Sequence, residues 1–530
     1  MRRSKFLNHQ KFDGTVASCD SPIITHMEGM FSMKNYRFTQ LLSAILAGLI
    51  LLSSVAMSSC GNNPEGSGNE DGSNTSTTEI EMETDPVQEA LDNVRSVANW
   101  DGKEWGILYV NDISGYAEEV EAQAKAGTDT SSGVINDAVF ERNTLFEEYG
   151  NLTFVLIPTS HTVITTNLQI EALSNTGDFQ FVSQTTTATA GAATAGYLFN
   201  YLELDIDYDQ AWWDQGTLDF ALEGCVFFMD GPFNIVDDDV TFVMLFNKTL
   251  QHQYLVENPY DTVKRGEWTL DYFNSVVKDL STEDGDGKWD ENDTYGFAAP
   301  RSIGETFFYG ADLKYVENSR NTETPELALN ESRMERAINT IAKARKIVKE
   351  NNSTYVAAVG EESLALEIFM DNRALYYVEA ASYLRALNGG MDGEYGVIPI
   401  PKYDKNQEKY TTWRHGIGST LSMPISISGQ DLFEVANILE LYAILSQKYV
   451  RPAYYDTMLT TRNVHDVESS EMLDLIFQNR IYDMAMYFDS LGFASLFSNS
   501  VIAVDTFTSS YSSVSRSFDK KMRYILEKLK

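Results

Sequence analysis

Four tryptophans carry the most informative chemistry in this chain: the adjacent pair Trp212 and Trp213 in QAWWDQ, Trp268 in GEWT and Trp413 in TTWRHG. An indole face stacks well on the apolar C–H face of a sugar ring, so each is a candidate ligand platform. Tryptophan packs a core at least as often. On that alternative Trp212 and Trp213 form a wedge inside a lobe and Trp268 closes a helix end. Trp413 is the better cleft candidate, because it shares a loop with Arg414 and His415 between YGVIPIP and SMPISIS. Neighbouring hydroxyls are best gripped by planar groups that make paired hydrogen bonds, and Asp178, Glu379 and Arg414 are of that kind. Asp178 follows Gly177 just before a strand and is equally suited to a turn. Glu379 ends a β-type run, where the alternative is a surface pair with Arg385. Asp237, Asp238 and Asp239 precede another apolar run, with Asp238 the candidate for a cleft, although three consecutive acids also mark turns.

The segment TEDGDGKWDEND (282–293) offers metal chemistry. Thr282, Asp284, Asp286, the Lys288 carbonyl and Asp290 fall at alternating offsets, Gly287 permits a sharp turn, and Asp293 takes the twelfth position. That spacing wraps oxygen donors around Ca²⁺. Thr282 stands where an acid is expected and Asp293 where a bidentate Glu is expected, while Glu291 offers a further carboxylate. Calcium here would be structural, pinning a loop; a solvated acidic turn is the alternative.

No catalytic constellation stands beside these groups. The sequence has no HExxH helix, His161, His252, His415 and His465 are far apart, and GxxxxGK[ST], GxGxxG after a strand and GxSxG are missing. Carboxylates and aromatics suffice in number for a glycoside hydrolase, but abundance defines no pair at catalytic separation. Binding without catalysis is therefore expected. A formal charge of −37 repels polyanions, which excludes nucleic acid as a partner and favours an uncharged ligand.

The N-terminus reads as an address. From Met33, MKNYRFTQLLSAILAGLILLSSVAMSSC places Lys34 and Arg37 before an apolar run from Leu41 to Val55, and small residues before Cys60. This looks like a bacterial lipoprotein signal, cleaved before a cysteine that takes the lipid. Residues 1–59 are then extension and signal peptide, and 60–84, rich in Gly, Ser, Asn and Thr, a flexible tether. Such a protein is expected at the outer face of a cell membrane, held by its lipid. Cys19, Cys60 and Cys225 are the only cysteines, so no disulfide framework can be drawn.

The elements that must position these groups alternate. Asp85-Pro86 followed by Val87, Leu91, Val94 and Ala98 predicts an amphipathic helix; helix is expected over 136–150, strand over 152–158, helix around 162–175 and strand over 179–183. A second cluster opens with VTFVMLFNK (240–248), has helices near 269–280 and 334–350, and reaches a long helix with Val435, Ile438, Leu439, Tyr442 and Leu445 on one face. Strand–helix alternation implies α/β sheets with covered faces.

Several segments in order resemble the extracellular family 1 solute-binding proteins, carbohydrate receptors of ABC importers in Gram-positive bacteria: INDAVFERN (135–143), TGDFQFV (176–182), TAGYLFNYLELDIDYDQAWWDQ (194–215), FNKTLQHQYLVENPYDTVKRGEWTLDYF (246–273), the acidic loop with YGF, ALYYVEA (374–380), YGVIPIPKYD (395–404) and RPAYYDTML (451–459). The resemblance implies a two-lobed, periplasmic-binding-protein-like α/β fold of type II, with hinge strands and an inter-lobe cleft that closes on a ligand. It places the first lobe at 85–242 and 378–425, the second at 243–377, and the helices of 426–530 mainly on the second. It further implies a sugar or oligosaccharide ligand, held by residues among those named above, and permease subunits as partners. A receptor for another solute, such as a peptide, and a surface glycan binder without a transporter remain as alternatives.

Overall fold

The computed structural model describes residues 85–122, 133–318, 324–350, 352–387, 390–391, 393–459, 467–488 and 491–528. The expected signal peptide, Cys60 and the tether lie outside these residues. Among them, no helix is long and apolar enough to cross a membrane.

The chain forms β1 (Glu104–Val110), β2 (Thr153–Thr159), β3 (Phe181–Thr185) and β4 (Phe228–Met229), then β5 (Phe242–Asn247), β6 (Tyr295–Ala299) and the short hairpin of β7 (Val316–Glu317) and β8 (Glu326–Leu327). It continues with β9 (Thr354–Val356), β10 (Ala374–Ala380), β11 (Tyr395–Ile398), β12 (Thr412–Trp413), β13 (Ser419–Ser422) and β14 (Arg480–Ile481). Two five-stranded sheets result, ordered β2-β1-β3-β13-β4 and β11-β5-β10-β6-β9. In the first, β1 runs parallel to β2 and β3, and β13 enters antiparallel to β3 and β4. In the second, β5 is antiparallel to β10 and β11, and β6 parallel to β10 and β9.

The interior strands β1 and β5 are apolar between the terminal Glu104 of one and Asn247 of the other because both faces are covered. In β1, Trp105, Ile107 and Tyr109 enter one core cluster while Leu108 and Val110 enter another. In β5, Phe242, Met244 and Phe246 face one side and Val243 and Leu245 the other. Helices start where the sequence supplies caps: Asp85 accepts from the Val87 amide, Thr185 from Ala188 and Asp431 from Phe433.

The lobes are joined at 230–241, between β4 and β5, and again where the chain leaves β11 and enters β13 through β12. The expected return near residue 378 is not where the chain re-enters the first sheet. β10 pairs with β5 from Tyr376↔Phe246 to Ala380↔Phe242, β11 follows on the other edge of β5, and the first sheet is regained only at Ser419. ALYYVEA is buried along its whole length because it is a central strand, flanked by β5 and β6. The C-terminal part also divides. Leu432–Leu445 buries Val435, Ile438, Leu439 and Tyr442 against the first lobe, passes through a π-helical turn at Ser446–Val450, and continues as Arg451–Leu459, whose Tyr454 and Met458 join a second-lobe cluster. Apolar clusters cross the lobes: Ala190, Phe220 and Phe228 of the first pack with Tyr487, Phe488 and the core of the second, and Ile135 and Val139 of the first join Val243 and Leu245.

Candidate functional site

The two strand crossings lie side by side. Thr241 and Arg414 form an antiparallel bridge, the His415 amide donates to Val240 O at 3.1 Å, and Ala381 N donates to Thr241 O at 2.8 Å. The first crossing carries the short helix Ile235–Asp239, in which every residue is buried. Its three acids therefore cannot be solvated and must be paired.

The pairing comes from both lobes. Arg480, on β14, reaches Asp237 at 2.7 Å and Asp238 at 2.6 Å through Nη1, and its Nη2 bonds Asp214 of the first lobe. The Tyr482 hydroxyl donates to Asp214 at 3.1 Å and to Asp237 at 3.2 Å. Arg414 donates to Thr186 Oγ1 at 2.6 Å and to the Ser419 carbonyl at 2.8 Å, and pairs with Asp230 at 3.2 Å and with Asp237. Three buried carboxylates and the half-buried Asp214 thus meet two guanidiniums. Burial, with help from Asp214 and Asp238 and against Arg414 and Arg480, pushes the Asp230 carboxyl up to about 7. Asp239 pairs instead with Arg385 at 3.3 Å and accepts from Tyr454 at 3.0 Å; burial, opposed chiefly by Arg385, lifts it to about 6. His415 is held neutral, its pKa lowered to about 4 by burial and by Arg414.

Beneath this cluster Glu119 ties three elements together. Its carboxylate accepts from Val236 N at 3.1 Å, Ser419 Oγ at 2.8 Å and Ser183 Oγ at 2.9 Å, and burial raises it to about 7. Beside the cluster a crevice of about 250 Å³ opens between the first-lobe helix Thr186–Thr194 and the second-lobe helices Met484–Tyr487 and Phe507–Glu527. Thr187, Thr194, Tyr487, Phe488, Tyr524 and Lys528 line it. The crossing passes directly alongside: Thr187 Oγ1 donates to Gly416 O at 3.3 Å, and a Cβ at Gly416 would stand 3.1 Å from that hydroxyl. Tyr524 is 60% exposed and Lys528 Nζ lies 4.8 Å over its ring. The crevice offers an aromatic face, two hydroxyls and one ammonium, from both lobes.

The residues singled out from sequence separate cleanly. Arg414 and Asp238 stand in the junction, both buried, and Glu379 lies at the junction end of β10, where its Oε1 accepts from Ala380 N. Asp178 does not: it is exposed at the start of β3, whereas the crossings meet the far end, at Thr185. Trp413 is no stacking platform, because Phe242 and Tyr309 lie parallel to it at 4.8 and 5.8 Å and its Nε1 donates to Thr306 Oγ1. Trp268 is fully buried against Phe273 and Tyr376 and donates to Pro399 O at 2.8 Å. Trp212 and Trp213 pack in the first-lobe core, Trp213 against Tyr208 and Phe233. Asp214, which follows them, is the member of QAWWDQ that reaches the junction. Sequence reasoning missed Asp214, Asp230, Arg480, Tyr487 and Tyr524; the acids and Arg480 carry no local signal, and the aromatic content of YDMAMYF was the one available cue.

The acidic loop folds around its own backbone. Thr282 and Thr294 exchange backbone hydrogen bonds, Asp293 is buried and accepts from Asp284 N at 2.9 Å and Asp290 N at 2.7 Å, and Asp290 accepts from Asn292 N. The Lys288 amide donates to Asp286 at 2.8 Å, and the Glu291 carbonyl accepts from Arg373. The carboxylates that converge are Glu283, Asp284 and Asp286, with oxygens within 4.8 Å of one another. An all-oxygen donor set of this kind fits a hard cation such as Ca²⁺, with Glu283 in place of the ligand expected at Thr282.

No protein-family description and no curated protein matches the sequence. Solved structures do. UspC of M. tuberculosis is similar over 78% of this chain and 100% of its own, at 11% identity and a TM-score of 0.51. The fold is that of a two-lobed, periplasmic-binding-protein-like α/β protein. Also similar, at TM-scores of 0.49 and 0.48, are a cyclo/maltodextrin-binding protein complexed with maltotetraose (12% identity, 81% of this chain and 97% of that one) and the ABC substrate-binding protein Lmo0181 from Listeria monocytogenes in complex with cycloalternan (14% identity, 80% and 100%).

Proposed function

We propose that this protein captures a sugar or oligosaccharide between its lobes and delivers it to an ABC importer, tethered to the outer face of the membrane through a lipid on Cys60. The observation that carries the reading is the crevice at the junction, which presents Thr187 and Thr194 from one lobe and Tyr487, Tyr524 and Lys528 from the other. An exposed phenol ring suits the apolar face of a saccharide, and hydroxyls with one ammonium suit its polar rim. A ligand that touches both walls stabilises the closed arrangement by the contacts it makes only there, and that closed form is what a permease distinguishes. Binding, rather than bond cleavage, is the activity assigned. The acidic loop is assigned a structural Ca²⁺ held by Glu283, Asp284 and Asp286.

A thermal-shift panel of malto-oligosaccharides against short peptides tests this. A rise in melting temperature with a saccharide, smaller in Tyr524→Ala at the same saccharide concentration, is the expected result. A response to peptides alone, or release of smaller sugars from the panel, overturns it.

A further inference from the structure

Between Trp213 and β4 the first lobe sends out a strap, residues 214–222, that takes part in the packing of both lobes. Asp214 caps its start, accepting from Gly216 N at 2.8 Å, and Gln215–Phe220 winds as a 3₁₀ turn. Leu218 and Ala221 join the first-lobe core, whereas Phe220 and Leu222 join the cluster that fills the second lobe.

The seat of the strap in the second lobe is built by its own hydrogen bonds. Asp483 accepts from the amides of Tyr315 at 2.6 Å and Val316 at 3.2 Å, and from that of Ala485 at 3.0 Å, which fastens 314–318 to 482–488. The strap lies on that surface along its length. Asp214 takes Arg480 and the Tyr482 hydroxyl, and Gly216 passes so near the Tyr482 ring that a Cβ would stand 2.5 Å from it. Asp219 pairs with Lys314 at 3.4 Å, and the Ala221 carbonyl accepts from Asn318 Nδ2. Phe220, 4% exposed, stacks on Phe488 at 6.0 Å between centroids and meets Tyr487 edge-on at 5.3 Å. Continuous chain joins the lobes at the two crossings and along the helix that runs from Leu432–Leu445 through Ser446–Val450 into Arg451–Leu459. Continuous chain bends but does not detach. A strap held only by side-chain packing and polar contacts can let go, and a rotation that parts the lobes at this corner must first draw Phe220 from its seat.

We infer that residues 214–222 are a latch, a strap of the first lobe seated in the second that holds the lobes together without a ligand and lifts out before they part. The latch acts on the same lobe equilibrium as a bridging ligand, whatever that ligand is. Pulsed electron paramagnetic resonance on the chain from residue 60 tests it; residues 85–530 form one compact unit, so that chain holds the whole fold. Cys60→Ser and Cys225→Ser remove the native thiols, and nitroxides on Gln169→Cys and Asn339→Cys, both exposed, report a distance from lobe to lobe. Without ligand this parent is expected to show one distance. Phe220→Ala should raise the population at a second distance at least about tenfold, because it empties the seat. Lys314→Glu, at a partly exposed pair that the fold does not need, should raise it about two- to fivefold. Asp219→Lys combined with Lys314→Asp should restore the parent distribution, which a merely loosened core would not do. A cooperative urea transition in each variant shows that the fold survives. A parent already spread over two distances, or a Lys314→Glu variant indistinguishable from it, overturns the assignment.

Discussion

Asp230→Asn separates the electrostatics of the junction from its shape. Asp230 is fully buried, its Oδ2 faces Arg414 and its Oδ1 has no hydrogen-bond partner. The ordinary carboxyl value is 3.8, and in the folded protein burial pushes it to about 7. The folded state therefore holds a proton that the unfolded state has released across that interval, so stability falls as pH rises from about 4 through about 7 and levels off above. Between pH 5 and pH 8 this single group removes about 2–3 kcal/mol. Asparagine keeps the shape and cannot ionise. At pH 5 the variant should match the wild type within about 1 kcal/mol; at pH 8 it should be the more stable by about 2 kcal/mol. Glu119 and Glu305, both near 7, and Asp239, near 6, impose the same sign on the wild-type curve, so the difference between the two proteins isolates Asp230. Urea unfolding at fixed ionic strength across pH 5–9 measures it. Parallel curves, or a variant less stable at pH 8 than at pH 5 relative to wild type, would refute the picture of an over-charged junction.

Three further outcomes follow from the geometry. Trp413→Ala should cost about 3–5 kcal/mol of stability by emptying a site between Phe242 and Tyr309, whereas Trp413→Phe should keep saccharide affinity; a selective loss of affinity in the Phe variant, with an unchanged melting temperature, would restore Trp413 as a ligand platform. Tyr524→Ala should weaken saccharide binding about three- to tenfold at unchanged stability, because the ring is exposed on the crevice wall; equal affinity by titration would remove it from the site. Millimolar Ca²⁺ should raise the melting temperature of the wild type and not of Asp286→Asn, and a chelator should reverse the rise; an equal response of the two proteins would place any calcium elsewhere.

How much of this was readable in the sequence depends on the range of the interaction. Strand and helix periods are local, and they predicted β2, β5 and the helices at 134–150, 331–349 and 432–445 to within a few residues. Strand order is not local. ALYYVEA reads as a strand from either lobe, and only its pairing with β5 and β6 assigns it to the second sheet. Tryptophan identity was the least reliable guide, because the large apolar area that suits an indole to a sugar suits it better to a core. In QAWWDQ the tryptophans anchor the turn and the unremarkable Asp214 reaches the junction. Arg480 meets Asp214 and Asp237 from more than two hundred residues away in the chain, a separation no motif spans.

The placement of Arg480 gives the junction a coupling that residue lists do not express. One guanidinium of the second lobe holds a first-lobe acid, Asp214, and two acids of the crossing, Asp237 and Asp238, while Arg414 of the other crossing holds Asp230 and shares Asp237. Moving the lobes apart would break the Arg480–Asp214 contact before any other in this set, because its other partners lie on the crossing itself. Asp214 would then meet solvent, while Asp237 and Asp238 would retain partners. Closure over a ligand must recover the contacts of one ion pair, worth little if the opened groups are hydrated and several kcal/mol if they stay dry. Arg480→Met decides between these. With hydrated groups the variant opens freely and loses ligand affinity only slightly; with dry ones it strips Asp238 of its ion pair, leaves Asp237 to Arg414 alone, and unfolds at lower urea.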